Sequence, residues 1–410
     1  MNIPSNSLPD TVLDRLLKTA PQLEIWWDSS PLVYPSWVEK LLASTPPEQH
    51  DLLRQQLRLL FDPQAPQNTR FTGVTTNPPL TLAAIKDDPQ RWAAWVAAYH
   101  RQHPAHDAHQ VFWALYTEVV RLGAETYYPL YVASRGAYGH LSAQVNPHDF
   151  FDIGAMVQQA LELRSLSGNI AIKIPGTQQG MQAIRRLTAL GVPTNCTAAY
   201  TVPQFVAAAE AVQAGLLEAR ENQVDLSGWR SVITDMSARW EGAAEFEEQA
   251  LDAGFTLSLE DRRWAGVDVF KQAHRILRQR AYPSKLLICS LRMGPVVDGE
   301  MHCWHLEETA GANAVFTLPP SFLTELFTQG NHLQFEARID QDIPAPVMER
   351  LQKLPYFTRS RRPDGYSPAE FNQLPPLLST YKEFCAATDK IIDFVAEHMG
   401  TSVSEMAPAH

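Results

Sequence analysis

Eight short apolar segments, separated by helix-length amphipathic stretches, constrain this chain more than any other feature of its sequence. They are residues 23–28 (LEIWWD), 73–77 (GVTTN), 140–146 (HLSAQVN), 169–175 (NIAIKIP), 193–200 (PTNCTAAY), 231–237 (SVITDMS), 285–292 (KLLICSLR) and 314–319 (AVFTLP). Between most of them apolar residues recur at helical spacing, as in 151–165, 180–190, 202–217 and 267–278. Such alternation predicts parallel strands joined by crossover helices. Eight βα units predict a closed (β/α)8 TIM barrel rather than an open sheet. We expect a helical extension over residues 1–22, the barrel over 23–330, and a Pro-rich strap with a docked terminal helix over 331–410. The insertion at 79–138 has room for two or three extra helices. One barrel domain routinely exceeds about 250 residues, so the 410 residues do not demand a second domain.

Charge and cysteine content exclude several function classes. The chain carries 34 Lys+Arg against 45 Asp+Glu, a net charge of −11. That balance opposes a broad electrostatic grip on nucleic acid or anionic membrane. An anionic substrate would need a local cluster of Arg working against the global field. Four Cys and no CxxC pair suggest neither a disulfide scaffold nor a zinc ribbon. No run of about 18 apolar residues occurs, and the N-terminus lacks a basic segment followed by an apolar one. The expectation is a cytoplasmic protein without signal peptide or membrane span, with homo-oligomerisation left open.

Strand alternation then sorts side chains by face. In 169–175, Ile170, Ile172 and Ile174 share one side, and Ala171 and Lys173 take the other. In a barrel one of these sides is the lumen. A lysine there is costly to bury as a cation, and desolvation favours its neutral form. A neutral amine in a closed pocket is what imine formation with a carbonyl requires. The same alternation puts Trp26 and Asp28, Thr75 and Asn77, Ser142 and Gln144, Asn195 and Thr197, and Ser290 and Arg292 on lumen faces. Asp28 is the one carboxylate this reading places there. Barrel interiors are normally filled with branched apolar side chains. So many polar groups near the strand ends therefore point to an active site with one lysine, one carboxylate, neutral hydrogen-bonding groups and an anion-binding arginine.

These residues fall in motifs that resemble the transaldolases and their relatives the fructose-6-phosphate aldolases, lysine-dependent class I aldolases on a (β/α)8 barrel. The resemblance runs from about residue 23 to 326. It is carried by GVTTNPPL at 73–80, NIAIKIPGTQQGMQAIRRLTALGVPTNCTAAY at 169–200, TDMSAR at 234–239, and AGVDVFKQAHRIL leading into LLICSLR at 286–292. By matching position it implies that Lys173 is the Schiff-base lysine and Asp28 the proton shuttle. Asn77 and Asn195 resemble the amides that hold the donor's hydroxyls, with Thr75 a further substrate-binding candidate. Thr197 resembles the threonine that orients the catalytic water. Arg239, Ser290 and Arg292 resemble the phosphate site, and two arginine forks with a hydroxyl suit a phosphate. The implied reaction moves a dihydroxyacetone unit from a ketose phosphate to an aldehyde acceptor, without metal or organic cofactor.

Two positions depart from the family pattern. Most transaldolases carry Glu on the third strand where this chain has Gln144, as the aldolase relatives do. Those aldolases add a Tyr on the sixth strand, where this chain has Met236. The alternatives are therefore a fructose-6-phosphate-aldolase-like enzyme releasing a free ketone, or a specialised transaldolase with an unusual acceptor. A barrel of another class that kept only the fold is a third reading.

The remaining signals have bland readings. His100, His103, His106 and His109 recur every three residues, but Pro104 interrupts them, which predicts a helix–loop–helix junction rather than a metal site. His302, Cys303 and His305 read as a surface loop. Cys196 and Cys289 read as buried small residues on the face opposite Thr197 and Ser290. Trp26, Trp27, Trp37 and Trp240 read as core, with an aromatic wall for a bulky acceptor as the alternative. GTQQG at 176–180 reads as a βα turn.

Overall fold

In the computed structural model, which describes residues 8–62 and 64–400, eight parallel strands close into a barrel. They are β1 (Glu24–Trp27), β2 (Phe71–Thr75), β3 (His140–Gln144), β4 (Ile170–Pro175), β5 (Thr194–Ala199), β6 (Ser231–Met236), β7 (Lys285–Cys289) and β8 (Ala314–Leu318). Each pairs in parallel with its neighbours in sequence, and β8 closes on β1. Seven of the eight predicted segments contain their strand, and the eighth overlaps β2, which begins two residues earlier than the pattern suggested. The (β/α)8 expectation holds.

The crossover helices begin where capping side chains end the strands. Asn77, Asp152, Thr177 and Thr201 each accept a backbone N–H from the first turn of the helix that follows. These caps satisfy orphan donors at the helix starts. The insertion between β2 and β3 holds three helices, Pro78–Asp87, Pro89–Gln102 and Ala108–Ala133. His100 ends the second and His109 begins the third, with Pro104 in the turn between them. Among the described residues no group of His, Cys, Asp and Glu is placed to hold a metal ion. No described helix is long and apolar enough to cross a membrane.

The chain after β8 is clamped by ion pairs along the helix Leu259–Gln279. Asp261 pairs with Arg350, Asp268 with Arg361, Arg275 with Asp342 and Arg278 with Asp340. Lys271, nearly inaccessible, donates to Glu308 and to the carbonyls of Arg338 and Gln341 at 3.0–3.1 Å. These residues lie at offsets of 7, 3, 4 and 3, which keeps them on one helix face. The last helix, Pro375–His398, then packs on the three insertion helices and reaches the end of β5.

The floor of the lumen is polar as well, which corrects the expectation that Asp28 is the one carboxylate facing inward. Glu24 lies on the same side of β1 as Trp26 and Asp28, at the opposite end of the barrel. It accepts from Arg230 and Lys285, both at 2.7 Å, and from the Trp26 indole at 3.1 Å. The two cations more than offset its burial and hold its carboxyl at about 2. Trp26 caps this cluster. Its ring lies so close to Gly73 that a Cβ there would come within 2.4 Å, so β2 needs a glycine at that point. Trp27, Trp37 and Trp240 are core residues. Trp27 packs with Tyr34, Trp37 and Phe71, and Trp240 with Phe246 and Tyr356. None of the four forms an aromatic wall.

Candidate active site

Lys173 stands in the middle of β4, 4% exposed, between Gln144 on β3 and Asn195 on β5 in the strand register. Among the described residues its amine makes one long hydrogen bond, 3.4 Å to the Thr76 carbonyl. Burial pulls its pKa below the ordinary lysine value, and the Asp28 charge opposes that pull. Asp28 follows β1 at the mouth. Desolvation pushes its carboxyl up, against Lys173 and a 2.6 Å hydrogen bond donated by Thr75. Burial thus draws each member of the pair toward its neutral form. The Thr75 hydroxyl also lies 2.5 Å from that of Thr317 on β8.

A second polar group crosses the lumen beneath the lysine. Asn195 donates to the Ser142 hydroxyl at 2.9 Å and accepts from Thr234 at 2.7 Å. That fixes the orientation of its amide. Asn77 uses its Oδ1 to cap the helix Pro78–Asp87, which leaves its NH2 to offer a ligand. Gln144 is fully buried, and neither its oxygen nor its nitrogen has a partner among the described residues. Such an orphaned amide is costly unless a ligand or water completes it. Thr197 is buried on β5 next to this layer, opposite Pro175.

Tyr200 enters the lumen through a bulge. Simple alternation would turn Tyr200 away, but Ala198 adopts a φ of +49° and the β5–β6 register shifts between Cys196 and Ala199. A bulge of this kind re-aims the side chains beyond it. The Tyr200 hydroxyl lies 3.3 Å from the Met236 sulfur and also bonds Thr380 from the C-terminal helix. Burial pushes its pKa well above the ordinary phenol range.

The end of β7 differs from the sequence expectation. The strand stops at Cys289, whose thiol faces the lumen within electrostatic range of Lys173 and Asp28. Cys289 therefore faces inward, contrary to the alternation expected from the sequence. Burial pushes the Cys289 thiol up to about 12, so it remains protonated and is no nucleophile. Cys196 does face away, and burial pushes it up to about 12 as well. Ser290 turns the chain with a φ of +58°, a conformation that costs a non-glycine residue energy and tends to persist at functional sites. Ser290 and Arg292 then line a cavity of about 470 Å³ at the mouth, together with Arg239 from the turn after β6 and Glu383 from the C-terminal helix.

Arg292 is gripped from behind by residues read from the sequence as a surface loop. Cys303 and His305 are instead fully buried. The Arg292 N–H donates to His305 Nδ1 at 3.2 Å, and the Cys303 thiol donates to the Arg292 carbonyl at 3.4 Å. Burial, aided by Arg263, drops His305 to about 3. The ring is neutral, and an accepting Nδ1 puts its proton on Nε2, which lies 3.7 Å from Glu241. Glu241 is in turn held by Arg263 at 2.7 Å. No periodic pattern in the sequence signals this support, because it joins the turn after β6, the helix Leu259–Gln279 and the segment after β7.

The arrangement joins an amine favoured as neutral, a carboxyl beside it, neutral hydrogen-bonding groups and a two-arginine cavity. It suits carbonyl chemistry on a small polyhydroxylated substrate with an anionic end.

A sequence model of the family described as Transaldolase/Fructose-6-phosphate aldolase matches residues 54–357. The match takes in β2 to β8 and leaves out β1 with Asp28, and also the C-terminal helix. The chain is similar to the transaldolase of Thiobacillus denitrificans, 27% identical over 287 residues that span 66% of this chain and 78% of the relative. It is 26% identical to the transaldolase of Renibacterium salmoninarum over 231 residues, 56% of this chain and 60% of that one. It is 30% identical to transaldolase 1 of Streptomyces avermitilis over 184 residues, 44% of this chain and 47% of the relative.

Proposed function

The chain belongs to the transaldolase/fructose-6-phosphate aldolase family of enzymes, and on that premise we propose that it transfers a dihydroxyacetone unit from a ketose phosphate to an aldehyde through a Schiff base on Lys173. The observation that carries the reading is the Lys173–Asp28 pair, a buried amine drawn toward its neutral form beside a single carboxyl. The neutral amine attacks the ketose carbonyl, and uptake of a proton with loss of water leaves a protonated imine. Asp28 takes the proton of the C4 hydroxyl as the C3–C4 bond breaks. The electrons of that bond move toward the imine nitrogen, which gives an enamine, and an aldose phosphate departs. The enamine then attacks a second aldehyde, Asp28 returns the proton, and water releases the product. Asn77 and Asn195 would hold the hydroxyls of the three-carbon unit, and Thr197 with Gln144 the hydrolytic water. Arg239, Ser290 and Arg292 would hold the phosphate end.

The orphaned Gln144 amide favours a second reading, an aldolase that protonates the enamine and releases free dihydroxyacetone. An amide orients water but cannot take its proton. Product analysis with and without an acceptor aldehyde separates transfer from release. Borohydride reduction in the presence of ketose phosphate tests the covalent step itself. It should add the donor fragment to the wild-type protein and nothing to Lys173→Ala. Addition to the alanine variant would assign the imine to another residue.

A further inference from the structure

We propose that Glu383 is a specificity-determining positioning residue that holds Arg239 when no phosphate is bound, so that a phosphorylated substrate must displace it. The proposal rests on the reading that this cavity receives the anionic end of the substrate. Arg239 donates from Nη2 to Glu383 at 2.6 Å, and among the described residues Glu383 is the one carboxylate paired with it. Arg292 has no carboxylate partner among the described residues, so the two arginines of the cavity are unequal in the free protein. Arg292 is exposed and open to an incoming anion, whereas Arg239 is already neutralised.

The geometry of the C-terminal helix makes the contact more than a chance surface pair. A second cavity of about 510 Å³ is lined by the same two arginines and by Pro376 and Ser379 from the first turns of this helix. Thr380 bonds Tyr200 in the lumen. Pro376, Ser379, Thr380 and Glu383 stand at i, i+3, i+4 and i+7, which is one continuous helix face. That face is laid over the mouth, and Glu383 is its charged member. A phosphate brought beside Arg239 would put a second anion against this carboxylate. Either Glu383 swings away or the phosphate forfeits one arginine. An unphosphorylated ketose meets neither cost. Glu383 therefore lowers the preference for phosphorylated over unphosphorylated substrates.

The test compares KM for a six-carbon ketose phosphate with KM for the same ketose without phosphate, in wild type and E383Q. Inorganic phosphate serves as the binding probe, followed by calorimetry. E383Q should shift the KM ratio about two- to fivefold toward the phosphorylated substrate, the scale set by breaking a partly exposed ion pair, and should tighten inorganic phosphate by a similar factor. E325Q removes the same charge from the same cavity, where Glu325 has no ion pair with Arg239 among the described residues, and should shift the ratio less. An unchanged ratio, a shift the other way, or an equal shift in E325Q overturns the proposal. Borohydride trapping of the ketose phosphate by wild type tests the imine reading separately. If trapping fails, that reading fails, while phosphate calorimetry still reports on Glu383.

Discussion

Replacing Asp28 by Asn keeps the shape of the side chain and its bond with Thr75 but removes the base. In the structure the groups whose charges act on Lys173 are Asp28 and Cys289. Burial pushes Cys289 up to about 12, so its thiol cannot take over the proton near neutral pH. With no substitute at hand, the loss should fall in the upper half of the range for a positioned general base, about 10³- to 10⁴-fold. At 1.36 kcal/mol per factor of ten, that is roughly 4–5.5 kcal/mol of transition-state stabilisation. The same substitution acts in the opposite direction on Lys173. Asp28 raises the lysine pKa against desolvation, so without it the amine is more fully neutral and imine formation should persist to lower pH than in wild type. The assay is therefore double. Single-turnover release of aldose phosphate reports C–C cleavage, and borohydride trapping across a pH series reports the imine. Cleavage within tenfold of wild type would show that the proton leaves by another route. If trapping falls in step with cleavage, Asp28 serves binding or assembly of the site, and the argument for separate roles is refuted.

Three other outcomes follow from the geometry. Arg292→Ala should raise KM for ketose phosphate by an order of magnitude or more and leave the unphosphorylated ketose little changed. His305→Ala should do the same more weakly, because it frees the Arg292 backbone without removing the charge, and equal effects on both substrates would mean that these residues act only on packing. Glu24 sits at about 2, below the ordinary carboxyl value, so its ion pairs stabilise the fold above pH 4.5 and are lost as pH falls toward 2. Wild type should lose roughly 3 kcal/mol through this group over that window; Glu24→Gln should be less stable at neutral pH and lack that part of the acid response in thermal melts, and an identical acid profile would contradict the assignment. Gln144→Glu should push the ratio of transfer to release toward transfer, and Met236→Tyr, which sets a phenol beside Tyr200, toward release. Product ratios with and without acceptor aldehyde decide this, and no movement in either variant means that these strands do not set the subtype.

The alternation of apolar and polar residues determined the barrel, the order of its strands and the faces of Lys173, Asp28, Thr75, Gln144 and Asn195. A period of two is a local property, so it survives in the sequence wherever a strand is regular. The same logic failed where regularity ends. The bulge at Ala198 turned Tyr200 inward, and β7 puts Cys289 beside Met236 on the inner face and ends there, so that Ser290 and Arg292 belong to the left-handed turn and loop beyond the strand. Glu24 obeys the alternation, but it lies at the first residue of β1, far from the mouth, where the sequence gives no sign that a carboxylate faces inward. Its partners Arg230 and Lys285 are distant in sequence. His305 behind Arg292 and Glu383 on Arg239 carry no pattern at all, since each contact joins side chains whose approach depends on how loops and the last helix pack. Side-chain parity is written along the chain by backbone geometry. Bulges, left-handed turns and long-range ion pairs are settled between segments, by cross-strand pairing and by burial that exists only once the barrel has closed.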